Sequence, residues 1–501
     1  MNYNFDKIIS REATDCEKFD ARDEVFGRAD VIPMWVADMD FAVPEAVTEA
    51  IVRRAGHPIY GYTFRSDGYF RSVIDWVGRH SGWKVEKEWI DFAPGVVAGI
   101  VFALRAFTQE GDRVVIQPPV YHPFSRAILR NKRTLVENPL VLKDGHYEMD
   151  LEELEQKVLD EHVKLMILCN PHNPVGRVWT REELTALADI CLRHHVYVIS
   201  DEIHGDFVWQ GHEQTPYASI SEEACLHSMM CTAPSKTFNL AGMATSNLFI
   251  PDPEMRRKFR SELLDVGQEN MNRLGLFACR AAYEGGGEWL DQLREYINQG
   301  KTIVKEYFAK ELPQIQVVSE DATYLLWLDC SAVTSDSQEF ADSIRKNTGL
   351  FLTGGYQYRG NGDSFVRLNI ACAHSVIEDG LRRFKKGVEI YQGKAPAVIH
   401  ASSVYNTPAE PEKKESTFVY EEEKQEEFQL DAGLLAFLEA DSYEKKLEIL
   451  NNLHAAITDS MIDTMAVSLD IEVKDGDIEQ RYQEVLNCLL TMERFECNRL
   501  R

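Results

Sequence analysis

Residues 165–204 read LMILCNPHNPVGRVWTREELTALADICLRHHVYVISDEIH, and the organisation of the chain follows from them. Leu165–Cys169 is an unbroken apolar run that leads into a turn built on two Asn-Pro pairs and Gly176. Arg181–His194 carries apolar residues at helical spacing, and Thr180 with Glu183 three places on forms a capping box opening that helix. Val196–Ser200 is a second apolar strand, followed at once by Asp201. Strands that are apolar at every position are buried on both faces, as in a largely parallel sheet covered by crossover helices. Such sheets bind ligands beyond the carboxyl ends of their strands, so the polar residues there become candidate ligands.

The same alternation extends from about residue 90 to 250, with further strands expected at Val114–Gln117 and Ser246–Ile250. Beyond about residue 295 the pattern changes. A long helical stretch, Trp289–Leu312, leads to short strands at Gln316–Val318, Tyr324–Asp329 and Phe365–Asn369, and the helix Ile377–Tyr391 closes a smaller α+β unit. Gly393–Glu427, with Pro396, Pro408, Pro411 and many Glu and Lys residues, has neither period and reads as a linker. Helical spacing returns from Leu430 to Arg501. The expected division is therefore an N-terminal segment (1–45) joining the small domain, a large domain (46–290), a small domain (291–393), a linker (394–428) and a helical appendix (429–501).

Composition narrows the function classes. The formal net charge of −27, about half of it beyond residue 400, disfavours nucleic acid or an anionic membrane as partner. Residues 1–20 include Asp6, Asp15, Glu17 and Asp20 and no apolar run, so no signal peptide is expected. No uncharged apolar stretch is long enough to span a bilayer. The ten cysteines form no close pairs, no metal-ligand set is expected, and Cys169 and Cys191 read as buried core, which suits a reducing cytoplasm.

Several residues at expected strand ends share one chemistry. Lys236, in Ala233–Asn239 among small and apolar neighbours, should have a lowered pKa through desolvation, unless it is a surface lysine in a turn. Asp201 can pair with a protonated ring nitrogen, with His204 orienting it through a hydrogen bond; the alternative is a helix N-cap. Asn173, in the Asn-Pro-His-Asn-Pro turn, can donate to a phenolic oxygen. Ala93–Gly99 opens an apolar helix whose N–H groups can approach a phosphate, although many helices begin so. Tyr121, on the proline-stiffened loop Pro118–Pro123, can stack on a ring or be a buried structural tyrosine. Arg367 alternates with apolar residues in its strand and needs an anionic partner, either a substrate carboxylate or a structural salt bridge. A linking lysine, a ring acid, a phosphate cradle, a ring partner and a carboxylate anchor together make the set that pyridoxal 5'-phosphate (PLP) chemistry requires.

At this point the sequence resembles the fold-type I PLP enzymes of the aminotransferase class I/II superfamily, and within them the PatB/MalY branch of carbon–sulfur β-lyases. The matching stretches are Pro33–Phe41, His57–Thr63, Pro118–Pro123, Asn170–Gly176, Ser200–His204, Pro234–Gly242 and Arg367–Ala371, within about residues 5–390. The resemblance implies that Lys236 is the Schiff-base lysine, Asp201 the partner of the pyridine nitrogen and Asn173 that of the phenolic oxygen. Tyr121 would stack on the ring and Arg367, with Ala37, would bind substrate. Ser235 and the amides of Val96 and Val97 would hold the phosphate, and Tyr62 would reach the phosphate of the neighbouring subunit of a homodimer. Where aminotransferases often place a phosphate-binding arginine, eight residues past the lysine, this chain has Ala244. The implied activity is α,β-elimination from an L-cysteine thioether such as cystathionine. The alternatives are an aminotransferase, and a PLP-binding regulatory protein acting on an unknown partner through its C-terminal appendix.

Overall fold

The structure, a computed structural model, describes residues 2–22, 30–318, 321–394 and the isolated positions 482, 483 and 486. Apart from those three positions and residue 394, the expected linker and helical appendix lie outside the described residues.

A seven-stranded sheet dominates. In chain order its strands are β1 (Ile90–Ala93), β2 (Arg113–Ile116), β3 (Thr134–Glu137), β4 (Leu165–Cys169), β5 (Tyr197–Asp201), β6 (Ser228–Thr232) and β7 (Ser246–Phe249). Their spatial order is β1-β7-β6-β5-β4-β2-β3. All neighbours are parallel except β7, which runs antiparallel to both β6 and β1. The central strands are buried along their length because alternate side chains enter two different cores. Leu165, Ile167 and Ile199 join Ile100, Leu104 and Phe124 on one face. Met166, Leu168 and Val198 join Trp179, Leu184 and Leu187 on the other. The helix Arg181–Arg193 opens with the expected capping box, in which Thr180 accepts from the Glu183 amide and the Glu183 carboxylate accepts from that of Thr180.

The second sheet is antiparallel, with strands β8 (Gln316–Val318), β9 (Leu325–Asp329), β10 (Thr353–Gly354) and β11 (Phe365–Asn369) in the order β8-β9-β11-β10. The N-terminal segment is stitched to it. Ile32–Pro33 pairs in parallel with Leu350–Phe351, and the Asn369 side chain donates to the carbonyls of Val36 and Asp38 at 2.6 and 2.7 Å. Arg367, two residues before Asn369 on β11, therefore lies beside the same segment, donating to Trp35 O at 2.7 Å.

Candidate active site

The register Cys169↔Asp201↔Cys231 aligns the carboxyl ends of β4, β5 and β6. Beyond those ends lies a cavity of about 800 Å³, open mouth included, bounded on its other sides by the start of helix Val96–Phe107, the Tyr121 loop and the lysine loop. Lys236, Asp201, Asn173, Tyr121, His204, Ser235, Val96, Val97 and Ala37 all line it.

Lys236 lies on a short helix, Pro234–Thr237, and its Nζ donates to Ala37 O at 2.7 Å. Burial, with Arg367 adding to it, pulls its pKa down to about 8, the direction expected from its sequence neighbours. The Asp201 carboxyl is buried and, among the described residues, accepts one hydrogen bond, from the Ile203 amide at 3.2 Å; desolvation raises its pKa to about 7. A carboxyl in that state gains most from a cationic ligand atom. Asn173 accepts from Arg367 Nη1 at 3.1 Å through Oδ1, which reserves its amide N–H groups for other partners. Arg367 is buried, has neutral hydrogen-bond partners and the Tyr358 ring 5.2 Å from its guanidinium carbon, and makes no ion pair among the described residues. Its Nε has no partner. A structural salt bridge is thereby excluded within the described residues, leaving a buried cation without a counter-charge.

At the far side Gly95, at φ +115°, precedes Val96 with no side chain capping the helix. An uncapped, glycine-led helix start of this kind takes an anion without obstruction. The donor set therefore fits PLP: amine, acid, amide, tyrosine and an uncapped helix start surround one space.

One expectation changes. His204 does not orient Asp201: among the described residues its Nδ1 has no hydrogen-bond partner, and its ring lies 6.2 Å from that of Tyr324. The chain turns directly after β5, so the amide two residues on satisfies Asp201 before a side chain three residues on can reach it. Burial keeps His204 neutral, its pKa lowered to about 3. Tyr62, expected at the site of a neighbouring subunit, does not line its own chain's cavity; it is 96% exposed, among exposed Ile59, Tyr60 and Phe64.

Other contributors escaped the sequence reading. Thr245, next to Ala244, puts a residue with a hydroxyl in the wall. Cys169, read as core, also lines the cavity, its Sγ accepting from the Asn173 amide at 3.3 Å. Asn239, at φ +57°, clasps Met39 and Phe41, which frame the Ala37 segment. The one signal in the sequence is the residue type, since asparagine takes the left-handed conformation more readily than most residues with a side chain.

Comparison with known proteins agrees with this geometry. The sequence model described as aminotransferase class I and II matches residues 29–384. The cystathionine β-lyase PatB of Bacillus subtilis is 45% identical over 382 residues, which cover 76% of this chain and 99% of that protein. Cystalysin of Treponema denticola, whose crystal structure contains pyridoxal 5'-phosphate, is 35% identical with a TM-score of 0.75, over 78% of this chain and 100% of that one. The PLP-bound C-S lyase of Staphylococcus hominis is 33% identical with a TM-score of 0.73, over 77% of this chain and 98% of that one.

Proposed function

The chain belongs to the class I and II aminotransferase family, and from that membership we propose that it is a PLP-dependent carbon–sulfur β-lyase. With cystathionine and water as reactants, the products are homocysteine, pyruvate and ammonia. The observation that carries the reading is a buried lysine of lowered pKa in one cavity with an acid, an amide and an uncapped helix start. The similarity to the cystathionine β-lyase PatB and to the C-S lyase structure supports elimination over the other reactions of the family.

Bound at Lys236, PLP supplies an electron-withdrawing ring that takes up the electron pair left at the substrate Cα. Asp201, as carboxylate, would keep the ring nitrogen protonated, and Asn173 would donate to the phenolic oxygen. Ser235 and the amides of Val96 and Val97 would hold the phosphate, and Tyr121 would pack on the ring. Arg367 binds the substrate α-carboxylate with its planar fork, with Ala37 beside it. Lys236, its pKa drawn down to about 8 so that a substantial neutral fraction exists near that pH, removes the Cα proton as general base, and the thiolate departs from Cβ. We place the enzyme in a homodimer in which Tyr62 of each copy reaches the other's phosphate site; its full exposure within one chain supports this. No helix among the described residues is long and apolar enough to cross a membrane, and the eight described cysteines are free, which suits a cytoplasmic enzyme.

The test is product analysis with cystathionine and no keto acid. Pyruvate and free thiol in equal amounts are expected. Amino transfer that requires a keto acid and releases no thiol would overturn the lyase reading in favour of an aminotransferase.

A further inference from the structure

Glu202 follows Asp201 but faces the other way, since successive side chains of a strand end alternate. It is buried, at 6% exposure, and the reaction above gives it no task. Its Oε1 accepts from Ser200 Oγ on its own strand end at 2.8 Å and from two other segments, through the Tyr217 amide at 2.9 Å and Asn170 Nδ2 at 3.3 Å. Gln214 Nε2 donates to Oε2 at 3.3 Å. Asn170 opens the turn that carries Asn173, and its own amide donates to Asp201 O at 2.9 Å. Among the described residues Glu202 makes no ion pair. Asp206, which borders the same small cavity as Glu202, is taken by Trp76 Nε1 at 3.2 Å and Thr237 Oγ1 at 2.6 Å.

A carboxyl buried among neutral donors is an expensive way to hold a fold together, because desolvation is offset by no opposite charge. What it offers in return is one oxygen on which three chain segments converge. We propose that Glu202 is a positioning residue: it ties the turn carrying Asn173 to the strand end carrying Asp201, and so fixes the spacing of the two groups that meet the cofactor ring. The inference rests on the PLP reading and deepens it. Burial raises the Glu202 pKa to about 7, so a neutral acid is accessible. Gln214 presents Nε2 to the carboxylate and leaves its buried Oε1 without a partner among the described residues, so turning its amide over supplies an acceptor for that acid's proton. A glutamine at 202 offers the same acceptor oxygen and a comparable donor.

The experiment compares wild type, Glu202→Ala and Glu202→Gln after reconstitution with PLP, by absorbance of the bound cofactor, PLP dissociation constant, and kcat and KM on cystathionine. Glu202→Ala is expected to shift the absorbance band, weaken PLP by about tenfold, and lower kcat with KM within about twofold. Glu202→Gln is expected to restore spectrum and affinity to within about threefold. An alanine variant with wild-type spectrum and affinity overturns the inference, even if it melts at a lower temperature. A glutamine variant as impaired as the alanine one overturns it too, since charge and not placement would then be what matters. Should Glu202→Ala fail to fold, Asn170→Ala cuts the other end of the tie, and an unshifted spectrum there is equally fatal. A wild-type protein that takes up no PLP overturns the proposed function and this inference together, whereas a coloured wild type with indifferent variants overturns the inference alone.

Discussion

Replacing Asp201 with asparagine separates the cost of the ring acid from its use. In the cofactor-free protein burial raises the carboxyl from 3.8 to about 7. A rise of about three units, at about 1.4 kcal/mol each, is a penalty of about 4 kcal/mol on the folded state wherever the carboxyl is ionised. The sign follows from proton counting. Between about pH 4 and pH 7 the folded chain keeps this proton and the unfolded chain has lost it, so stability falls as pH rises through that window and is level above it. Asparagine has the same shape and no proton to lose. Cofactor-free Asp201→Asn should therefore match wild type near pH 4 and exceed it by about 4 kcal/mol at pH 8. Groups that titrate alike in both proteins cancel from the difference. Urea unfolding of the two cofactor-free proteins across pH 4 to 8 measures it directly. Adding PLP should reverse the order at pH 8, because a carboxylate pairs with a protonated ring nitrogen and an amide does not. A difference independent of pH, or a variant less stable than wild type at pH 8 without PLP, would refute the reasoning.

Arg367→Lys keeps the charge and loses the fork that matches a carboxylate; KM for cystathionine should rise about 100-fold with a smaller change in kcat, read by steady-state kinetics. Gly95→Ala meets open space, nothing lying within 4 Å of the added Cβ, yet forces an L-residue to φ +115°. It should cost about 1–3 kcal/mol in urea unfolding and weaken PLP binding, and an unchanged variant would remove Gly95 from the cradle. Lys236→Ala and Tyr62→Ala should each be inactive alone and regain activity when mixed, because a hybrid dimer contains one site with both residues intact; no recovery on subunit exchange would sink the shared site.

The sheet was legible where burial imposed a pattern. Leu165–Cys169 is apolar at every position because β4 is covered on both faces, and its observed bounds match the expected ones. The direction of β7 was not legible. Residues 233–245 between β6 and β7 hold the lysine loop, with only a four-residue helix and a single 3-10 turn, too little for the covering helix that a parallel return usually needs. The two-residue pairing of Ile32–Pro33 with Leu350–Phe351 is likewise too short to leave a period, yet it holds the N-terminal segment to the chain just before β10, in a two-stranded sheet of its own.

The site divides along a different line. Lys236, Asp201 and Asn173 were legible because each stands in a distinctive local phrase. Glu202 and Asn239 stand in the same phrases and were passed over, since their partners lie elsewhere: Tyr217 and Asn170 for one, Met39 and Phe41 for the other, some two hundred residues away. Local pattern shows which residues face a strand end, not which distant segments they grip. The structure adds an electrostatic constraint that no motif carries. One cavity brings together a lysine pulled down in pKa and an acid pushed up, and Arg367, bonded to the cavity-lining Asn173, makes no ion pair among the described residues. Among those residues each is left incompletely compensated, and each calls for a different feature of a ligand: an aldehyde, a cationic ring nitrogen and a carboxylate. The first two belong to one cofactor and the third to an amino acid beside it, so the three mismatches are relieved together only when both are bound.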